Sequence, residues 1–291
     1  MPHIERSTDH ITVLSAHDLD EALSLKSAHP DARFLAGGTD LMVEVDLGHL
    51  PDKILDIGSV EALRGIREQP NGLWIGALTT HRELVESLLA ESWAPSLIEA
   101  CRTVGAVQIQ NRGTLGGNIA NASPAGDTLP VLYALDAEIE IASAARGVRT
   151  VQIQYLYKGY RQLNMEPDEM IVGVILPEPH IGDHTHYRKV GTRLAQAISK
   201  VVMGARVRIV EGVVTEARIA YGSVGPTPIR CLSVEQALVG SPVDPQVARL
   251  VPGDITPIDD IRSTGVYRSK VAANILEGWL STLVQNPEEV L

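Results

Sequence analysis

Three scarcities bound this chain before any motif is read. Of 291 residues only two are cysteine, Cys101 and Cys231, far apart in sequence. Two such thiols make neither a disulfide framework nor a thiolate cage for zinc or an iron–sulfur cluster. Sparing use of cysteine fits a reducing cytoplasm. Basic residues are outnumbered, 25 against 36 acidic, for a net charge of −11. Nucleic acid and anionic membrane both want a basic face, so neither is an expected partner, and the acidity reads as solubility. No apolar run approaches the ~18 residues that would span a bilayer. The polar N-terminus "MPHIERSTDH" is unlike a secretory signal. Aromatics make up 4% of the chain and Phe34 is the only phenylalanine. No aromatic is therefore marked out to stack on a nicotinamide ring. No segment is repetitive or of low complexity.

What is present is enough for a sizeable core: 44% of the residues are hydrophobic. The length allows one large domain or two to three small ones. "DLDEALSLKSAHPDA" (18–32) has helical spacing, with Leu19, Ala22, Leu23 and Lys26 on one side. "ARFLAGG" and "KILDIGS" read as strands, giving a small β-α-β unit. "LRGIREQPNGLWIGAL" and "AEIEIASAARGVRTVQI" read as hairpins. Thr80 and Glu83 form a capping box ahead of the helix "TTHRELVESLLAES", and "PSLIEACRTVG" is a further helix. "DEMIVGVILPEP" is a strand stopped by prolines. From about residue 184 the texture changes to two long strands meeting at Glu211-Gly212. A helix "VEQALVG" follows, capped by Ser233 with Gln236, and the amphipathic helix "YRSKVAANILEGWLSTLVQ" closes the chain. The class is α+β, with a boundary near 178–184 at "PEPHIGD". The three histidines of "PHIGDHTH" (His180, His184, His186) read as an exposed loop rather than a metal site, because no carboxylate or thiolate completes the set.

Two stretches stand apart: "RFLAGGTDLMVE" (33–44) and "RGTLGGNIANASPAGDTLP" (112–130). Each sets a Gly-Gly pair beside a threonine. Such a turn admits φ > 0 and lets another group touch the backbone. Its N–H groups face a shared concavity that suits phosphate oxygens. Neither stretch matches the GxGxxG fingerprint or the Walker lysine pattern. From the residues alone, phosphate binding and a purely structural role stand about level. Asp127 reads equally as a helix cap, Asn118 as a turn residue, Ile171 as core and Lys189 as a solvated charge.

"FLAGGTDL" and "RGTLGGNIANASPAGDTLPVLYALDAEIEI" resemble the paired signatures of the FAD-binding (medium) subunits of molybdenum hydroxylases, the xanthine dehydrogenase and carbon monoxide dehydrogenase family. The likeness runs nearly end to end, through "DEMIVGVILP", "YRKVGTRLAQAISKV" and "DIRSTGVYRSKVAANIL". It implies a two-lobed FAD-binding domain of the vanillyl-alcohol-oxidase (PCMH) type over 1–180, with lobes of about 1–58 and 59–180. A C-terminal α+β domain like that of the carbon monoxide dehydrogenase flavoprotein would cover 181–291. By the same resemblance, Leu35, Ala36, Gly37, Gly38 and Thr39 wrap the FAD pyrophosphate through backbone N–H groups, and Asp40 and Leu41 continue that turn. Thr114, Gly116, Gly117 and Asn118 form a second clamp. Asp127 contacts the cofactor, Ile171 packs beside it, and Lys189 lies near it as a cation that would favour an anionic reduced flavin.

No histidine stands in the first motif, where some relatives of this fold tether FAD, so the FAD is expected to be non-covalent. Two cysteines also rule out the four-cysteine loop that one branch of the family inserts. No nucleophile–base constellation or metal site appears, which fits chemistry carried by a cofactor. The resemblance further implies partners: a large molybdopterin subunit that hydroxylates substrate and a small subunit with two [2Fe–2S] clusters, in a dimer of heterotrimers. Electrons would leave through FAD to NAD+, oxygen or a quinone. Xanthine dehydrogenase is the first expectation. Carbon monoxide, aldehyde or N-heterocycle enzymes, a stand-alone FAD oxidase or reductase, and a nucleotide-binding assembly factor are the alternatives.

Overall fold

The computed structural model describes residues 11–49 and 51–285. The N-terminal stretch judged unlike a secretory signal lies outside them. Three larger sheets and one two-stranded ribbon divide the described residues. The first is parallel and small: β1 (Thr12–Ser15), β2 (Arg33–Leu35) and β3 (Lys53–Asp56), ordered β1-β3-β2. α1 (Leu19–Ala28) crosses from β1 to β2, and α2 (Leu41–Asp46) from β2 to β3. Asp18 caps α1 by accepting from the Glu21 N–H at 2.8 Å. Lys26 is buried on the apolar side of α1, as its spacing predicts. Its Nζ donates to the Ala32 and Pro30 carbonyls at 2.8 and 3.0 Å and lies over the Phe34 ring.

The second sheet is antiparallel. β4 (Ile66–Gln69), β5 (Gly72–Gly76), β6 (Glu138–Ser143), β7 (Gly147–Gln152) and β10 (Met170–Leu176) run in the order β4-β5-β10-β6-β7. A ribbon of β8 (Tyr157–Gly159) and β9 (Gln162–Leu163) interrupts the sequence before β10. Six helices lie between β5 and β6: α3 (His81–Glu86), α4 (Leu88–Trp93), α5 (Pro95–Thr103), α6 (Val107–Gln110), α7 (Leu115–Asn121) and α8 (Leu129–Ala134). The capping box forms as expected. Thr80 Oγ1 accepts from the Glu83 N–H at 3.1 Å, and Glu83 Oε2 accepts from the Thr80 N–H at 2.7 Å. The helix expected beyond it breaks at Ser87, whose hydroxyl starts α4 by accepting from the Ala90 N–H at 3.1 Å. A bulge at Val172 shifts the β10 register. It turns Ile171 and Val174 toward the same core, while Met170 and Val172 join the core under the first sheet.

The third sheet holds β11 (Asp183–Val190), β12 (Val201–Val210), β13 (Val213–Gly222) and β14 (Ile229–Arg230), antiparallel in chain order. β12 and β13 turn through Glu211 and Gly212 with φ 50° and 78°, the left-handed pair that a two-residue hairpin of this kind needs. α5 and α8 pack on one face. α9 (Leu232–Leu238), α10 (Val251–Asp254) and α11 (Gly265–Gln285) close a separate core on the other. Between α8 and β6, Asp136 accepts from Arg206 at 2.7 Å and Arg218 at 2.8 Å, with Arg230 at 3.7 Å, so three arginines of the third sheet close on one carboxylate at the end of α8.

Two expectations are corrected here. "PHIGDHTH" is not an exposed loop throughout: His180 is exposed, but His184 and His186 are half-buried residues of β11. Alternation on the strand puts them on one side, where His186 stacks on Trp279 of α11 with ring centroids 5.4 Å apart. Ser233 does not cap α9. Cys231 occupies the cap position, and the Ser233 N–H and hydroxyl both donate to Asp254, at 3.0 and 2.8 Å. A contact from a distant segment takes the side chain that local sequence would have used.

Candidate functional site

The two glycine turns meet. A Cβ on Gly37 would stand 1.8 Å from the Arg112 carbonyl oxygen, so only glycine lets the first turn lie against the second. Gly116 makes a similar approach elsewhere, to the backbone of Ala77, where a Cβ would stand 2.6 Å from the carbonyl oxygen. Thr114 caps α7 by accepting from the Gly117 N–H at 3.0 Å. Asn121 Nδ2 donates across to Asp40 Oδ1 at 2.9 Å.

A cleft of about 1000 Å³ runs along this seam, at the upper end of the range for small-molecule sites. Of the residues expected at the cofactor, Leu35, Gly116 and Lys189 stand behind its wall. Ala36, Gly37, Gly38, Thr39, Asp40 and Leu41 line one part, and Thr114, Gly117, Asn118, Asp127 and Ile171 line another.

The turns differ in what they offer a ligand. Among the described residues, no acceptor meets the N–H groups of Gly37, Gly38, Thr39 and Asp40. Those of the second turn are engaged. Gly116 donates to the Ala77 carbonyl at 2.9 Å, Gly117 to Thr114 Oγ1, and Asn118 to the Thr114 carbonyl at 2.9 Å. What the second turn keeps free is the Thr114 hydroxyl proton and the Asn118 side-chain amide. Thr128 fixes that amide's orientation by donating to Asn118 Oδ1 at 2.6 Å.

Asp127 is 8% exposed. Its Oδ2 accepts from Lys189 Nζ at 2.6 Å, whereas its Oδ1 is sealed from solvent without a partner. Burial pushes this carboxyl up to about 6, although the Lys189 charge and its hydrogen bond oppose the shift. Lys189 also donates to the Thr103 carbonyl at 2.9 Å. Its charge is balanced by Asp127, and its contact with the cleft runs through that carboxylate. Asp127 does not cap α8, whose cap position belongs to Thr128.

One cleft residue gave no sequence signal. His81, the first residue of α3, is 1% exposed, and its N–H donates to the Gly113 carbonyl at 3.0 Å. Its Nδ1 has no partner, and burial brings its pKa down to about 4, which keeps the ring neutral at pH 7. A lone histidine behind a capping box has no periodicity to mark it.

Four amides in a row without a partner among the described residues, the side-chain donors of Thr114 and Asn118 and the cleft they line suit a ligand that carries both oxyanions and hydroxyls. The pyrophosphate and sugar hydroxyls of FAD fit that description. Among the described residues no cluster of three or more histidine, cysteine or carboxylate side chains could hold a metal ion. Among the described residues no helix is long and apolar enough to cross a membrane. The family model described as FAD binding domain in molybdopterin dehydrogenase matches residues 9–179, and that of the CO dehydrogenase flavoprotein C-terminal domain matches 185–283. The xanthine dehydrogenase FAD-binding subunit of Escherichia coli O157:H7 is 34% identical over 87% of this chain and 89% of its own. The glyceraldehyde dehydrogenase medium chain of Sulfolobus acidocaldarius is 34% identical over 88% and 92%. A chain in the structure of carbon monoxide dehydrogenase from Hydrogenophaga pseudoflava superposes with a TM-score of 0.88 at 27% identity, covering 92% of this chain and 95% of that one.

Proposed function

Since the chain belongs to the family of FAD-binding subunits of molybdopterin dehydrogenases, we propose that it is the electron outlet of a xanthine dehydrogenase-like complex. Bound FAD supplies the redox chemistry, taking electrons from the [2Fe–2S] clusters of a small partner subunit and yielding them to NAD+ or another acceptor. The substrate is hydroxylated in a large molybdopterin subunit, and the assembly is a dimer of heterotrimers. The chain itself divides into an FAD-binding domain, 1–180, and a C-terminal domain, 181–291. It works in the cytoplasm, a reading supported by its two buried free thiols.

The observation that carries this reading is the row of amides from Gly37 to Asp40, without an acceptor among the described residues and in residues that line the cleft shared with the second turn. Hydrogen bonds to a charged acceptor contribute roughly 1.5–3 kcal/mol each. Several together hold a pyrophosphate without a covalent bond. Leu35, behind the wall, and Leu41 support the first turn. Thr114 and Asn118 supply side-chain donors from the second, while Gly116 and Gly117 shape its backbone. Asp127, paired with Lys189, closes that part of the cleft wall as the carboxylate for a ligand hydroxyl, and Ile171 gives an apolar wall.

The test is the absorption spectrum of the complex purified from its native host through a tag on this chain. Flavin bands over a broad iron–sulfur background, with two additional subunits and xanthine-dependent reduction of NAD+, are the expected result. Turnover of an aldehyde or another N-heterocycle in place of xanthine would change the substrate alone. A lone yellow chain that oxidises a substrate by itself would refute the outlet role.

A further inference from the structure

We propose that His81 is a cofactor-binding residue, whose Nε2–H donates a hydrogen bond to the ligand held between the two glycine turns. The proposal rests on reading the cleft as the FAD site, and adds to it a residue that neither glycine motif contains.

The argument begins with which nitrogen carries the proton. A neutral imidazole has one N–H and one lone pair. Nδ1 is sealed from solvent and has no partner, whereas Nε2 is not among the sealed atoms, and none of the described residues bonds it either. A proton on Nδ1 would bury an unmet donor, and an unmet donor is tolerated less readily than an unmet acceptor. The proton therefore sits on Nε2. That nitrogen adjoins Cδ2, the ring atom nearest Gly113. A Cβ built on Gly113 would lie 3.3 Å from His81 Cδ2 and 3.4 Å from Thr39 Oγ1. The Nε2 edge thus faces the junction where Thr39, from the first turn, meets Gly113, at the head of the second. Two features hold it there. The His81 N–H is tied to the Gly113 carbonyl, and the capping box directly before it fixes the start of α3. The ring is among the residues that line the cleft. A donor beside the open amides of Gly37 to Asp40 extends the same oxyanion-binding row from a second element. Because the ring is neutral, it adds direction without adding charge.

The experiment uses the full chain with 15N-labelled histidine, examined by NMR with and without FAD, and FAD titrations of three variants followed by flavin fluorescence. Melting of the FAD-free protein serves as the control for folding. The expected result is the Nε2–H tautomer at His81, with its Nε2 resonance moving on FAD loading. His81→Leu should weaken FAD binding about 10-fold to 100-fold, the range for losing one bond to a charged acceptor. His81→Gln, whose amide nitrogen reaches the Nε2 position, should stay within about threefold of wild type. His81→Asn is too short and should behave like His81→Leu. An Nδ1–H tautomer would overturn the proposal. So would an unmoved resonance, or a His81→Leu dissociation constant equal to that of wild type. Equal loss of FAD by the Leu and Gln variants with lowered melting temperatures would make the residue structural and overturn it as well. If the wild-type chain fails to bind FAD, the cofactor reading falls first, and the proposal with it.

Discussion

At the first glycine turn the amides of Gly37, Gly38, Thr39 and Asp40 meet no acceptor among the described residues; at the second, those of Gly116, Gly117 and Asn118 are all taken. The motifs look alike, and each glycine pair permits a close approach, but the approaching groups differ. The first turn is left open by the protein and pressed by Gly37 against the Arg112 carbonyl. The second is finished internally and anchors α7. A Gly-Gly-Thr pattern therefore signals backbone proximity, and the fate of the amides decides whether a ligand is the neighbour.

Gly37→Ala should break this comparison most severely. The new methyl overlaps a carbonyl that cannot move alone, so the turns separate. Stability should fall by ~2–4 kcal/mol, and FAD affinity by more than ~100-fold, read by calorimetric melting and flavin titration. Gly117→Ala meets only Thr114 Oγ1, at 2.9 Å. It should cost ~1 kcal/mol, the scale of a helix cap, and leave FAD affinity within about tenfold.

The orphaned atoms of the cleft sharpen the contrast through pH. Asp127 has its folded pKa raised to about 6. Its favourable contribution is complete below its unfolded value and is lost as pH rises through 6. His81 has its folded pKa lowered to about 4. Its contribution is present above its unfolded value and is lost as pH falls through 4. Between pH 6 and 4 the two effects oppose, each worth about 3 kcal/mol at most. On acidification over that window, Asp127→Asn should lose stability relative to wild type and His81→Gln should gain it. Urea unfolding of the FAD-free chain at several pH values measures both slopes, and parallel curves for all three proteins would contradict the assignment.

The smallest effects belong to the supports. Asn121→Ala removes the bond to Asp40 that ties the turns across the seam, and Thr80→Ala removes the cap before His81. Each should cost ~1 kcal/mol. Asn121→Ala should weaken FAD binding only a few-fold, because the amides of the first turn stay in place.

Where the outcome depended on neighbouring residues in the chain, sequence was enough to read it. The capping box at Thr80 and Glu83, the hairpin at Pro70-Asn71-Gly72, which turns at Pro70-Asn71, and the Glu211-Gly212 turn all follow from residues within a few positions of one another. The glycine motifs were visible because both are local. What could not be read was competition from a distance. Asp254 claims Ser233, α11 covers the side of β11 that carries His186, and Ala77 takes the Gly116 amide. Lys189 reads as a lone charge until folding brings Asp127 to 2.6 Å. β1 left no signature, since four mostly exposed residues cannot show a pattern.

The Asp136 clasp bears on speed as well as stability. Electron exchange between proteins weakens exponentially with the gap between donor and acceptor, so a redox carrier gains from not flexing. Three arginines of the third sheet close on a single carboxylate at the end of α8, and Glu216 braces two of them. The segment at the end of α8 and the third sheet, whose β11–β12 connection also lines the cleft, are thereby clamped to one another. On the electron-outlet role proposed above, loosening that clamp would blur the distance over which the electrons pass.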